Sequence, residues 1–189
     1  MDKNLLNFLK NLKQYGINKN IPNISENVGQ FLNMLVKISK SKNILEIGCA
    51  NGYSTIWLAE AVSANRGKII SIDFSKPSFE AAKNNLIKTG YSDIVNFRFG
   101  NALDVIPKIK TPNKFDFVFI DGEKRSYWNF WCAIKNRLAD NAIVVFDDVM
   151  LFPKKTAQFM KKIKGVVGFE QIVLLLDKKN GILLLNKNV

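Results

Sequence analysis

From Asn43 onward the chain alternates between two hydrophobic periods, and this alternation constrains its fold more than any other feature. Short apolar runs of strand length stand at Ile44–Ile47, Ile69–Ile72, Val95–Phe99, Phe115–Ile120 and Ala142–Phe146. Between them lie amphipathic stretches around Ile56–Val62, Phe79–Ile87, Ala102–Ile109 and Tyr127–Leu138. Runs that are apolar throughout suit strands covered on both faces, and the intervening helical stretches supply the crossovers, so a parallel sheet with helices on both sides is expected. The end of the chain departs from this pattern. After a helix of roughly residues 154–163, the runs Gln171–Leu176 and Ile182–Leu185 are separated only by Asp177-Lys178-Lys179-Asn180-Gly181. That turn is too short for a crossover helix, so these two strands are antiparallel. An α/β fold follows, a doubly wound parallel sheet of five strands ending in an antiparallel β-hairpin, distinct from flavodoxin-like and dinucleotide-binding orders.

Residues 1–42 read as a helical extension of the core at 43–189, the two forming one domain over 1–189. Leu5, Leu6, Phe8, Leu9 and Leu12 recur at helical spacing. Pro22-Asn23 then breaks the chain, and Ser25 is placed to cap a second helix carrying Val28, Phe31, Leu32, Leu35 and Val36.

The chain of 189 residues has no histidine, which removes Ser-His-Asp and Cys-His nucleophile systems, histidine zinc sites and histidine-ligated haem. Its chemistry must run on carboxylates, lysines, hydroxyls and backbone. Cys49 and Cys132 form no C-x-x-C pair, so a reducing cytoplasm fits best. No apolar run approaches the ~20 residues that span a bilayer, and the amphipathic start is unlike a signal peptide, so a soluble, unprocessed protein away from membranes is expected. The net charge of +12 is concentrated at the two ends, because residues 43–149 carry 13 basic against 12 acidic side chains. Basic flanks suit nucleic acid, but Lys outnumbers Arg heavily and Asn and Ile are abundant, which codon bias explains equally well.

The strongest local motif is Ile44-Leu45-Glu46-Ile47-Gly48-Cys49-Ala50-Asn51-Gly52-Tyr53-Ser54, a strand entering a glycine turn and then a helix. Gly48 and Gly52 permit close approach of backbone to a ligand, and Ser54 is expected to cap the helix. The turn is neither G-x-G-x-x-G nor a Walker A loop. Glu46 at the strand end points to a ligand bearing positive charge. Asp73, ending the next strand, suits the two hydroxyls of a ribose, and Gly100-Asn101-Ala102 after the third suits an adenine edge.

With these residues in place, Leu45–Ser54 resembles motif I of S-adenosylmethionine-dependent class I methyltransferases, in the L-E-I-G-x-x-x-G-Y-S form of the catechol and caffeoyl-CoA O-methyltransferase family. The resemblance runs from about Ile21 to the terminal hairpin. Phe119-Ile120-Asp121-Gly122-Glu123-Lys124-Arg125-Ser126-Tyr127 is similar to the family's F-I-D-x-x-K-x-x-Y block, and Val145-Phe146-Asp147-Asp148-Val149 to its D-N-V block, with Asp148 in place of Asn. It implies a Rossmann-like class I methyltransferase fold and a cofactor site drawn from Ile24, Glu46, Gly48, Cys49, Ala50, Gly52, Tyr53, Ser54, Asp73, Phe74, Asn101, Ala102 and Asp121. It also implies Asp121, Asp147 and Asp148 as ligands of a divalent cation such as Mg2+, and Lys124 as the base beside the acceptor hydroxyl, with Asp121 at the catalytic centre.

Methyl transfer from a sulfonium is an in-line displacement, so an enzyme mainly aligns acceptor oxygen and methyl carbon and makes the oxygen anionic. Carboxylates and a partly desolvated lysine are suited to that task. The expected activity is O-methylation of a small catechol-like acceptor. A tRNA hydroxyuridine acceptor and a non-catalytic nucleoside-binding module stay open, and a homodimer is compatible. Phe130 and Trp131 are expected in the core, with Tyr127 or Trp128 as a wall for an aromatic acceptor, and Cys49 as a pocket filler.

Overall fold

The computed structural model describes residues 1–111, 113–177 and 180–188. Two helices, α1 (Lys3–Asn18) and α2 (Glu26–Ile38), precede the alternation β1 (Asn43–Ile47), α3 (Tyr53–Ala64), β2 (Lys68–Asp73), α4 (Lys76–Thr89), β3 (Val95–Phe99). The chain continues as α5 (Ala102–Val105), β4 (Phe115–Ile120), α6 (Tyr127–Ile134), β5 (Leu138–Phe146), α7 (Pro153–Ile163), β6 (Phe169–Leu175) and β7 (Gly181–Lys187). One seven-stranded sheet has the order β3-β2-β1-β4-β5-β7-β6. The first five strands pair in parallel, and β7 pairs antiparallel with both β5 and β6. The chain winds outward from β1 to β3, then returns to lay β4 against β1. The strand order therefore reverses between β1 and β4, where α/β sheets open a crevice at the carboxyl ends.

Side chains alternate across the sheet. Phe117 and Phe119 of β4 join Leu9, Leu32, Val36, Ile56 and Leu86 on the side of α1–α4, while Val118 and Ile120 join Ile106, Trp131, Phe159 and Ile163 on the side of α5–α7. A register shift between Phe115 and Phe117 against β5 places these two rings on opposite faces, although they stand two residues apart. The N-terminal helices dock through α3: a Cβ on Gly29 would lie 2.4 Å from the Trp57 indole nitrogen, so only glycine admits this approach.

Three local expectations change. The Ala102–Ile109 stretch is helical only to Val105, where a 3-10 turn through Pro107 takes over, because proline removes the amide the helix would use next. Strand β5 begins at Leu138, before the apolar run at Ala142. Ser25 caps α2, accepting from the Val28 amide at 3.1 Å, but Ser54 does not cap α3. Gly52 holds that position at φ 85°, and Ser54 lies in the first helical turn. Of the expected hairpin turn, Lys178 and Lys179 lie outside the described residues. No described helix is long and apolar enough to cross a membrane.

Candidate active site

The turn after β1 is built around its glycines. Gly48 has φ 91°, and a Cβ there would stand 2.4 Å from the Asp121 carbonyl oxygen, so the ends of β1 and β4 touch only because a side chain is missing. Asp73, at the end of β2, organises the same turn: the Cys49 and Ala50 amides both donate to its Oδ2 at 3.1 Å, and the Ser75 amide donates to Oδ1 at 2.8 Å. Two successive amides thus converge on one carboxylate oxygen.

Glu46 takes a different place from the one expected. It is fully buried behind the turn, where the hydroxyls of Ser54, Thr55 and Ser71 each donate to its carboxyl group at 2.6 Å. Burial pushes its pKa up to about 7 despite those three bonds. It ties the first turn of α3 to β1 and β2, and lines neither cavity described below.

A cavity of about 530 Å³ opens at the strand reversal. Its walls are the strap Pro22-Asn23-Ile24, the turn Gly48-Cys49-Ala50 with Ser54, the ends of β2 and β4 with Asp73, Phe74, Asp121 and Lys124, and the segment after β5 with Asp147, Asp148, Leu151, Phe152 and Lys155. An adjoining cavity of about 360 Å³ shares Gly48, Asp73, Phe74, Gly122 and Glu123 and adds Gly100, Asn101, Ala102 and Ser126. The Asn101 side chain accepts from the Leu103 amide at 2.9 Å and caps α5. The fold therefore gathers Ile24, Gly48, Cys49, Ala50, Ser54, Asp73, Phe74 and Asp121 on one cavity and Asn101 and Ala102 on its neighbour, while Glu46, Gly52 and Tyr53 line neither. The Cys49 thiol is pushed far up by burial and then by Glu46 and Asp73, which keeps it an unreactive wall group.

At the far end of the first cavity Asp121, Asp147 and Asp148 each offer an oxygen, all within 4.8 Å of one another. Asp148 has φ 54°, a left-handed conformation that Asn and Asp tolerate best, so the turn admits few residue types besides these two. Oδ1 of Asp147 and Oδ1 of Asp148 are buried with no hydrogen-bond partner among the described residues. Burial, then the charges of Asp121 and Asp148, raise the Asp147 carboxyl well above the usual carboxylate range, and burial raises Asp121 too. Hard oxygen donors, convergent and unsatisfied, fit a divalent cation.

Lys124 Nζ lies 2.5 Å from Asp121 and 3.6 Å from Asp148. Burial alone would lower its pKa, but Asp121 first, with Asp148 and Asp147, outweighs burial and raises it. The lysine is thus held charged while these carboxylates face it. Tyr127, one of the two expected acceptor walls, is instead fully buried, its hydroxyl donating to the Asp147 carbonyl at 2.7 Å and so bracing the acidic turn. Trp128 lines neither cavity and is covered by Lys162, whose Nζ is 5.1 Å from the ring centroid. Phe130 and Trp131 are core residues, as expected, though Phe130 also reaches the second cavity.

Several site residues escaped the sequence reading. Lys13 of α1 donates to the main-chain oxygens of Asn23 at 2.8 Å and Ile24 at 2.5 Å, clamping the strap, and burial lowers its pKa against the pull of Asp177, Asp147 and Asp148. Nothing in an amphipathic pattern marks one lysine of the polar face for this. Leu151, Phe152 and Lys155 do carry a local signal, an apolar pair followed by Pro153, the first residue of α7, one residue past the Asp-Asp-Val block.

Comparison with known proteins agrees with this architecture. The O-methyltransferase family model matches residues 2–184. The chain is 33% identical over 129 residues to a catechol O-methyltransferase of Niastella koreensis, covering 67% of this chain and 58% of that one. It is also 33% identical over 134 residues to caffeoyl-CoA O-methyltransferase 1 of Eucalyptus globulus, covering 69% and 54%. The chain thus matches little more than half the length of these curated relatives. An O-methyltransferase from Bacillus cereus solved with SAH superposes with a TM-score of 0.85 at 26% identity, over 96% of this chain and 91% of that one. The O-methyltransferase TomG from Streptomyces achromogenes, solved with SAM, gives 0.85 at 25% identity over 100% and 91%. Matched by the family model across nearly all of its residues, the chain belongs to the O-methyltransferase family.

Proposed function

We propose that the chain transfers the methyl group of S-adenosylmethionine to a hydroxyl of a small aromatic diol, with a divalent cation held by Asp121, Asp147 and Asp148. The observation that carries this reading is the pairing, in one cavity, of an organised glycine turn with a carboxylate cluster in which one buried oxygen each of Asp147 and Asp148 has no partner among the described residues. The turn and Asp73 supply a preformed cradle for the cofactor, and Asn101 and Ala102 line the neighbouring cavity, suited to an adenine. The similarity to catechol and caffeoyl-CoA O-methyltransferases supports a vicinal diol as acceptor.

Asp121 belongs to both halves of the site, since its main chain packs on Gly48 and its carboxyl group joins the cluster. It therefore sets the distance between cofactor and acceptor, which an in-line displacement depends on. Lys124 is assigned the acceptor's proton, which it can take only as the neutral amine, its lone pair facing the acceptor O–H. A hard dication at the three aspartates would supply polarisation of the acceptor hydroxyl and cancel part of the carboxylate field that keeps Lys124 protonated. The strap clamped by Lys13 walls the cavity and limits access of water.

The test is methyl transfer to a catechol and to hypomodified bulk tRNA in parallel, each with EDTA and with Mg2+ restored. Transfer to the catechol, lost in EDTA and recovered with Mg2+, is expected. Full activity in EDTA would remove the metal from the reading, and labelling of tRNA alone would replace the acceptor. Lys13, one of the basic residues of the N-terminal flank, is engaged with strap carbonyls rather than open to a phosphate.

A further inference from the structure

The charged groups lining the main cavity divide by their partners. Lys124 pairs with Asp121 and Asp148, Asp73 accepts three backbone amides, and the Glu123 side chain accepts the Arg125 amide. Lys155, in contrast, makes no ion pair among the described residues, although the cavity it lines is otherwise rich in carboxylates. Its Nζ stands 5.1 Å from the centroid of the Phe152 ring, which is 40% exposed. Leu151 continues the apolar surface on the same wall. The cavity therefore holds an acidic cluster and, on the same stretch of chain after β5, a cation without an ion-pair partner among the described residues beside an aromatic ring.

We propose that Lys155 and Phe152 select acceptors, favouring an aromatic diol that carries an anionic substituent on the side of its ring away from the reacting hydroxyls. This deepens the aromatic-diol reading above and rests on it. The apolar faces of Leu151 and Phe152 hold the acceptor ring, and the ammonium group meets a carboxylate or similar anion as a charge-assisted contact. The opposite choice, a cationic substituent, would set two like charges together on this wall.

The experiment compares three acceptors of one shape, a dihydroxybenzoate, the matching dihydroxybenzyl alcohol and the matching dihydroxybenzylamine, reading kcat/KM for each. The wild-type protein should prefer the anion over the alcohol by roughly tenfold, the scale of one charge-assisted contact, with the amine last. In Lys155→Met the anion-to-alcohol ratio should fall toward one, and in Lys155→Glu the order should turn toward the amine. Raising the salt should compress the wild-type ratio, because a rim charge is screened. Equal use of anion and alcohol by the wild type, or a ratio unchanged in Lys155→Met, overturns the inference while leaving the diol reading intact. Failure to methylate any of the three, with S-adenosylmethionine still bound in calorimetry, overturns the diol reading and this inference with it.

Discussion

The two halves of the cavity treat their polar groups in opposite ways. Around the glycine turn both carboxyl groups are answered from within the chain: Asp73, on the cavity wall, by three backbone amides, and Glu46, behind it, by three hydroxyls. At the acidic cluster, among the described residues, Asp147 and Asp148 each keep a buried oxygen without a partner, and Lys124 is the one ion-pair partner. The first half is a finished scaffold that shapes backbone around a ligand. The second is left electrostatically incomplete, which costs stability and supports the reading of the cluster as a cation site.

This contrast makes opposite predictions for substitutions on its two sides. The largest effect is expected from Asp147→Asn. Methyl transfer should fall by about 10²–10³-fold, the scale of losing electrostatic stabilisation of the reacting oxygen as the proposed cation is held less well, while the thermal midpoint stays level or rises as like charges are relieved. Parallel activity and unfolding measurements check it, and a large loss of stability would show that the cluster is structural. Gly48→Ala should do the reverse. Its Cβ would run into the Asp121 carbonyl at a left-handed φ, so about 2–3 kcal/mol of stability should be lost in urea unfolding. A stable variant that still binds cofactor would mean that the turn is less rigid than it looks.

The smallest effect is one of pH. Glu46 has its pKa raised from 4.5 to about 7 in the fold, so folding favours the protonated form. Its stabilising contribution is complete below 4.5 and is lost as pH climbs through about 7, with a slope of up to about 1.4 kcal/mol per pH unit. Asp147 and Asp121 are raised as well and act in the same sense. Glu46→Gln, which keeps a neutral polar group among the hydroxyls, should remove its share and flatten the stability profile between pH 4.5 and 7. An unchanged slope would place the titration elsewhere.

Much of the fold was legible because hydrophobic period is a local property. Strands β1–β4 and the closing hairpin follow from runs of apolar residues and from a turn too short for a helix. The candidate site was legible in part where residues cluster in the chain: Gly48, Cys49, Ala50 and Ser54 share a cavity wall with Asp121 and Lys124, while Gly52 and Tyr53 of the same turn do not. It was misread where function depends on which way a side chain leaves its strand. Glu46, placed at a strand end and expected to meet a positive ligand, turns away from the cavity toward Ser54, Thr55 and Ser71. Tyr127 similarly turns inward to hold the Asp147 carbonyl.

The sequence by itself determined the element order, the doubly wound sheet with its terminal hairpin, the absence of histidine chemistry and the residue types of the acidic cluster. Each of these is written in composition or in spacing over a few residues. Only the tertiary structure decided that Asp73 braces the glycine turn, that Lys13 clamps the strap from another helix, and that Lys155 meets the cavity without a carboxylate partner among the described residues. Those outcomes depend on contacts between segments far apart in the chain, set by how helices pack and which face a strand presents. Periodicity reports that a face is buried, and packing alone chooses its neighbours.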